Sequence, residues 1–358
     1  MKSLLYKDFS LRTHARGQYA KSATCCQFEL TFGCNLHCRH CYTDCYNNSE
    51  FIKKELDIVE VKKTLDKIQQ QGVVWLCFTG GDPLFRKDFP EIYAYAKSKG
   101  FLVTVFTSGY SVNKEILRIF KRQPPFVLEM TLNAVTRDLY ERISGVRGSF
   151  SKVMENISAL LKEKIPLKIK TQITRDNISH IPQIRRFISK LGLVFRPDLH
   201  LFARLNGDSS PCSLRVAPAK LVSIFGRRQI DPEICKDPSA LRLQDESSIN
   251  IKNSPRAQLF QCTLGAGQEF HIDPYGNMFL CVGLREPAVN VLKKNIGPVF
   301  NKLIHQVRGW RFLSGSKCAA CLMRKQCLFC PGRAYLENGD MEAPSLYYCE
   351  LTKSGVAQ

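Results

Sequence analysis

The run Glu29 Leu30 Thr31 Phe32 Gly33 Cys34 Asn35 Leu36 His37 Cys38 Arg39 His40 Cys41 Tyr42 puts three cysteines within eight residues, spaced C-x3-C-x2-C, just past an apolar strand-like segment. The spacing is too tight for a strand or a regular helix to gather three sulfurs, so the run reads as a loop wrapped around something compact. Three thiolates can hold a four-iron cluster and leave its fourth iron open to a small ligand. On local spacing alone a zinc site stays open as the alternative, because zinc wants a fourth Cys or His and His37, His40 and Cys45 are near in sequence.

Further on, Val73 Val74 Trp75 Leu76 Cys77 Phe78 Thr79 Gly80 Gly81 Asp82 Pro83 reads as a buried strand ending in a Gly-Gly-Asp-Pro turn. With these two elements the chain resembles the radical SAM superfamily. That family carries C-x3-C-x2-C after its first strand, usually with an aromatic residue before the third cysteine, and a GGEP turn after its second. His40 fills the aromatic slot here. The resemblance implies a [4Fe-4S] cluster on Cys34, Cys38 and Cys41 that binds S-adenosyl-L-methionine (SAM). It also implies that the turn Gly80 Gly81 Asp82 presents backbone groups to the SAM amino group, glycines allowing the close approach.

With 358 residues, 44% of them hydrophobic, the chain can bury one barrel-sized core and a smaller one. No apolar signal core and no membrane-length run occurs, so a cytoplasmic protein without membrane contact is expected. Sixteen cysteines in such a chain argue for metal ligation over disulfides, and clusters of this kind would be sensitive to oxygen. The net charge of +20 is spread along the chain and not stacked with aromatics. It reads as a basic soluble surface, with an acidic partner second and nucleic acid an unfavoured third.

From 26 to 203 strand-like segments (26–31, 73–79, 101–107, 126–133, 167–174 and 193–203) alternate with amphipathic stretches. Among the latter are 56–71, with Leu56, Val59, Leu65 and Ile68, and 150–163, with Val153, Ile157, Leu160 and Leu161. Six such units fit a parallel sheet with right-handed crossovers. The resemblance specifies an α/β fold: a partial (β/α)6 barrel of the radical SAM type, with chemistry at the C-terminal strand ends, followed by a small cysteine-rich SPASM domain. The expected division is an N-terminal extension over 1–23, the radical SAM core over 24–203, a connector over 204–258 and the SPASM auxiliary-cluster domain over 259–358.

Two more strand ends compare with the family. Thr131, in Glu129 Met130 Thr131 Leu132 Asn133 Ala134, matches a Ser or Thr that reaches SAM, against the plainer reading of a strand-forming threonine. Arg142 matches an Arg that binds the SAM carboxylate, which suits a planar two-donor fork; the plainer reading is a surface Arg at a helix end. The set expected to bind the cofactor is therefore His40, Gly80, Gly81, Asp82, Thr131 and Arg142. The catalytic residues stay unknown.

Cys262, Cys281, Cys318, Cys321, Cys327, Cys330 and Cys349 form a second cysteine series, with Gly276 between the first two. It closely resembles the SPASM extension of peptide-modifying radical SAM enzymes, in which seven cysteines serve two auxiliary clusters. By that resemblance Cys318, Cys321, Cys327 and Cys349 complete one cluster and Cys262, Cys281 and Cys330 serve the other. The second would keep an open iron unless Cys212 or Cys235 folds back onto it. The final pair is C-x2-C where C-x3-C is usual, and paired C-x2-C units also make zinc knuckles. Cys77, inside an apolar strand, reads as a buried hydrophobe.

The connector holds one short helix over 219–225, and its segment Ala203 Arg204 Leu205 Asn206 Gly207 Asp208 resembles a part of peptide maturases that touches substrate. Sulfatase-maturing enzymes place a general-base Asp directly after the cysteine matching Cys281. Here that residue is Val282, which cannot take a proton, and nearby Asp273 belongs to a hairpin-like turn. The expected function is reductive SAM cleavage and hydrogen abstraction from a ribosomally made peptide. The expected partners are a flavodoxin or ferredoxin as electron donor and a separate leader-binding protein. A tetrapyrrole or other small-molecule substrate is the alternative, and a zinc-dependent nucleic-acid binding protein is the alternative of another class.

Overall fold

The protein is described here from a computed structural model, over residues 5–19, 22–226, 258–260, 262, 267–324, 327 and 329–355. Helix α1 (Tyr6–Tyr19) precedes β1 (Cys25–Thr31), and the chain then runs through a one-turn α2 (Ser49–Ile52), α3 (Ile58–Gln70), β2 (Trp75–Gly80), α4 (Phe89–Ser98) and β3 (Leu102–Thr107). It continues through α5 (Lys114–Arg122), β4 (Val127–Thr131), α6 (Arg137–Ser144), α7 (Ser149–Lys162), β5 (Leu167–Gln172), α8 (Ile181–Lys190) and β6 (Phe195–Asp198). Strands β1 to β6 lie side by side in sequence order, all parallel. This is the expected six-unit partial barrel.

Strand alternation separates two faces. Cys26, Phe28 and Leu30 of β1, Phe78 of β2, Val105 of β3 and Met130 of β4 pack into the core beneath the helices. Gln27, Glu29 and Thr31, Glu129 and Thr131, and Lys170 and Gln172 therefore share the inner face. Helix α3 starts on a capping box, in which the Asp57 side chain accepts from the Glu60 backbone and Glu60 answers the Asp57 N–H. The helix turns Val61, Leu65 and Ile68 inward, and Val59, expected inside, is 54% exposed.

Strands end earlier than the apolar runs do. β4 stops at Thr131 because the Asn133 side chain replaces a backbone carbonyl, its Oδ1 accepting the Gln172 N–H at 2.8 Å. β6 spans four residues, not the expected eleven. Pro197 offers no N–H, and the Asp198 carboxylate turns the chain by accepting the His200 N–H at 2.9 Å.

The connector helix α9 (Pro218–Phe225) falls where expected, and residues 227–257, Cys235 among them, lie outside the described residues. The C-terminal region then rejoins the sheet. β7 (Glu269–Ile272) pairs in parallel with β1, and β8 (Asn277–Phe279) and β9 (Val289–Asn290) follow antiparallel, giving nine strands in one sheet. The open edge of β1 is covered in this way. Helix α10 (Ile296–Gly309) lies over β7, with Phe270 and Phe300 rings 5.9 Å apart. At the N-terminal ends of the strands α1 packs on Trp75, His14 stacking on the indole at 4.5 Å. Among the described residues no helix is long and apolar enough to cross a membrane.

Two last helices, α11 (Pro331–Asn338) and α12 (Leu346–Lys353), dock beside the end of β6 through Arg215. Its guanidinium donates to the Leu201 carbonyl at 2.7 Å, forms a two-point pair with Glu337 and lies 5.0 Å over the Tyr348 ring. With the pair about nine-tenths enclosed, Arg215→Ala leaves Glu337 buried and uncompensated. Its expected cost is about 3–5 kcal/mol in urea unfolding. The double replacement Arg215→Met, Glu337→Leu should recover most of that, and equal loss in the single and double variants would remove the pair from this role.

Candidate active site and metal centres

The cysteine loop leaves β1 at Thr31 and is held from several sides. Phe32 N–H donates to Glu55 at 2.7 Å and Gly33 N–H to the Thr31 hydroxyl at 2.8 Å. The Asn47 side chain staples the loop, accepting from Cys34 N–H at 3.0 Å and donating to the Cys34 and Leu36 carbonyls. Opposite, His37 and Arg39 N–H groups donate to the Ser144 and Ile143 carbonyls at 2.9 and 3.1 Å. These are orphan carbonyls at the C-terminus of α6, satisfied by the loop.

Cys34, Cys38 and Cys41 are each half-buried in this loop. Burial pushes all three thiols well up, and the surroundings add negative charge, Asp82 at Cys34, Cys41 and Asp44 at Cys38. Thiols in this state become ligands when a cationic metal core supplies the missing positive charge. Beside them, His40 Nδ1 is buried without a partner. Burial, with Lys170, outweighs Asp198 and brings that ring down to about 4, so it is neutral. Buried thiols without a countercharge and an unpartnered ring nitrogen fit a bound cationic cluster and its ligand.

The Gly-Gly-Asp turn lies directly against the loop entrance. Gly81 N–H donates to Thr31 O at 2.7 Å and Asp82 N–H to Gly33 O at 2.9 Å. A Cβ on Gly80, whose φ is +124°, would sit 2.1 Å from Thr31 O, and one on Gly81 would sit 2.4 Å from Phe32 O. The glycines are thus required by the neighbouring backbone of β1, a reason the sequence did not reveal. Asp82 is fully enclosed. Its carboxylate accepts from the Thr107 hydroxyl at 2.9 Å, from Ser108 N–H and hydroxyl and from Leu84 N–H, locking the turn to the end of β3.

Thr131 ends β4 on the inner face, half-buried and in register with Lys170. Arg142 is exposed on α6, two residues before the carbonyl that holds His37. Asn133 Nδ2 reaches His40 Nε2 at 3.5 Å. The inner face also carries charges that motif reading passed over. Glu29 takes a two-point bond from Arg285 at 2.7 and 2.8 Å, Glu129 pairs with Arg196, and Lys170 reaches Asp198 at 2.6 Å. The available signal was an acid inside an apolar strand, because a buried carboxylate needs a partner.

The later cysteines form two groups. Burial, then Cys330 and Cys262, push Cys281 up to about 12, and a Cβ on Gly332 would lie 3.2 Å from the Cys281 sulfur. Burial, then Cys349, Cys327 and Cys321, push Cys318 up to about 11. Burial raises Cys212 to about 11, and its charged neighbours include Arg215, Glu337 and Arg333. Among the described residues no three His, Cys, Asp or Glu side chains gather tightly enough for a single ion; a four-iron cube attaches each cysteine to its own iron and does not require that. Asp273 accepts from Tyr275 N–H, Asn277 N–H and the Asn277 amide at 2.8–3.0 Å, which closes the β7–β8 turn.

Residues 28–188 match the family model of the radical SAM superfamily. An AdoMet-dependent heme synthase of Methanosarcina barkeri is 26% identical over 329 residues, 87% of this chain and 92% of that protein. The antilisterial bacteriocin subtilosin biosynthesis protein AlbA of Bacillus subtilis is 28% identical over 166 residues, 46% of this chain and 36% of that protein. Streptococcus suis SuiB, in its structure bound to the precursor peptide SuiA, overlays 97% of this chain and 82% of its own, with a TM-score of 0.67 and 16% identity.

Gly145 caps α6 at φ +71°, where an added Cβ would lie 2.7 Å from the His37 carbonyl. Gly145→Ala is expected to cost about 1–2 kcal/mol of backbone strain and to speed hydrogen exchange of the amides of residues 34–41. Unchanged exchange there would mean that α6 does not brace the loop.

Proposed function

We propose that this chain, whose residues 28–188 match the radical SAM superfamily model, is a radical SAM enzyme with a SPASM-type C-terminal region and modifies a ribosomally synthesised peptide by abstracting hydrogen from it. When bound, a [4Fe-4S] cluster on Cys34, Cys38 and Cys41 together with SAM supplies the 5′-deoxyadenosyl radical that such chemistry needs. The chain's own residues do the rest. Asn47 and the α6 carbonyls fix the loop, the Gly80–Gly81 backbone shapes its floor, and Thr131 and Arg142 would orient SAM. The barrel wall keeps water from the reacting carbon.

The observation that carries the peptide reading is the pair of later cysteine groups, Cys262 with Cys281 and Cys330, and Cys318 with Cys321, Cys327 and Cys349. Both belong to a region tied into the barrel through β7 and Arg215. Two auxiliary clusters beside one substrate cavity suit the peptide-modifying members of the family, and the peptide-bound neighbour shares the fold over nearly the whole chain. A flavodoxin or ferredoxin would deliver electrons, and a separate protein would recognise a leader. A second reading, a tetrapyrrole substrate, is favoured by the heme synthase relatives, whose similarity runs through the C-terminal region, where that of AlbA covers less than half of the chain.

Anaerobic reconstitution is expected to give about twelve irons per chain. Replacing Cys34, Cys38 and Cys41 by Ala should lower that to about eight and abolish 5′-deoxyadenosine formation under dithionite. A triple variant that still forms 5′-deoxyadenosine would sink the assignment, and zinc in place of iron would overturn the enzyme reading.

A further inference from the structure

Around Tyr348 the described residues are one carboxylate short. Two guanidinium groups lie over that ring, Arg215 at 5.0 Å and Arg333 at 3.5 Å from its centroid. Glu337 answers only the first: both of its oxygens accept from Arg215, and Oε2 accepts also from the Ser345 hydroxyl at 3.1 Å. Arg333 is only 4% exposed, and its Nε is buried without a partner. Among the described residues its guanidinium donates no hydrogen bond and meets no carboxylate. Other enclosed arginines, Arg86, Arg215 and Arg285, close on Asp88, Glu337 and Glu29.

Taking a guanidinium out of water without a countercharge is costly. Stacking on Tyr348, with the Phe202 ring at 5.5 Å, recovers part of that cost. It engages the flat face of the group and leaves the edge, where the N–H donors lie in one plane. That edge matches the two oxygens of a carboxylate.

The place lies between the two ends of the chemistry. Phe202 is 6.3 Å from the ring of Tyr42, the residue after Cys41. On the other side Arg333 belongs to the first turn of α11, three residues past Cys330, and a Cβ on the preceding Gly332 would lie 3.2 Å from the Cys281 sulfur. The guanidinium itself turns away from that sulfur. It bears on Cys212 and Tyr348, while the charges that bear on Cys281 are Cys330 and Cys262. Arg333 is therefore placed toward Phe202 and the first cysteine loop, not as the countercharge of the second cysteine group.

We infer that Arg333 is a substrate-binding residue that takes a carboxylate of the molecule being modified, with Tyr348 and Phe202 as the positioning residues that hold its guanidinium flat. This rests on the radical SAM reading and adds to it the charged group that the substrate must carry. An acidic side chain of a peptide and a propionate of a tetrapyrrole present the same two oxygens, and the experiment separates them.

The reconstituted, SAM-bound enzyme is offered two probes under nitrogen: an mRNA-displayed library of random peptides, and coproporphyrin III followed by its absorbance. If the carboxylate comes from a peptide, the wild type enriches sequences with Asp or Glu, and Arg333→Met removes that bias and weakens the selected peptides about tenfold or more, the loss of a charge-assisted hydrogen bond. If it comes from a tetrapyrrole, the same weakening is seen with coproporphyrin III. Either result supports the inference. Arg333→Lys keeps the charge but not the fork, so it should weaken the same ligand less severely, and it decides the case if the Met variant does not fold. A merely structural arginine would weaken acidic and neutral peptides alike. That pattern, equal binding by wild type and variant, or loss of iron from a folded Met variant would each overturn the inference. The reading beneath it is judged by 5′-deoxyadenosine under dithionite: a wild type that forms none defeats that reading, and one that forms it but binds no carboxylate probe defeats the inference alone.

Discussion

Two residues without side chains, Gly80 and Gly81, lie against the carbonyls of Thr31, Phe32 and Gly33, and the geometry of the mouth depends on that contact. Any Cβ there would come within 2.4 Å of a backbone oxygen. Because the two segments touch as bare backbone, the end of β2 and the start of the cysteine loop share hydrogen bonds and hold one another in place. Asp82 extends the constraint to β3 through the Thr107 hydroxyl, and the α6 carbonyls extend it to the far side of the loop. The loop is irregular, yet the amides of Phe32, Cys34, His37 and Arg39 are anchored to neighbouring segments, which a site that must place three sulfurs requires.

Electrostatics divides the molecule differently from its composition. The net charge of +20 belongs to the sequence as a whole, while Lys170, Arg196 and Arg285 on the inner face are each paired with a carboxylate. Ion pairs inside a protein gain little net stability, since desolvation offsets attraction. Their effect here is to leave Glu29 and Glu129 buried with a countercharge in place. Arg285 is the informative member. It follows Cys281 by four residues and reaches back to Glu29 on β1, resting 4.7 Å over the Phe279 ring, so the same short segment carries both a cysteine of the second group and a wall of the cavity.

The barrel was legible because its strands are apolar runs that alternate with amphipathic stretches, and period-two burial follows from β structure alone. Helix phase was less so: Val59 fits the 3.6-residue pattern in sequence, and only its packing in the fold reveals that it faces water. The cysteine groups were legible through spacing, since sulfurs that share a cluster must come from short turns. What spacing could not show were contacts between distant segments. Asn47 stapling the loop, Arg285 meeting Glu29 across more than two hundred residues and His200 held by Asp198 leave no periodic trace. The acids Glu29 and Glu129 inside apolar strands announced that partners exist without saying which.

The C-terminal region is less separable than its cysteine content suggests. A small module that is cysteine-rich and poor in regular structure is commonly held by its metals, and a clean boundary after β6 would allow it to fold as an appendage. Instead β7 completes the sheet at the edge of β1, the strand that leads into the cysteine loop. Deleting residues beyond 258 would therefore expose the backbone of β1 and remove Arg285 from Glu29, leaving a buried carboxylate beside the site. Arg333 stacking 3.5 Å over Tyr348, and Arg215 bridging Leu201 to Glu337, fasten α11 and α12 to the end of β6. Cys281 follows β8, which pairs with β7 and through it with β1, so that cysteine is tied to the strand that leads into the first cysteine loop.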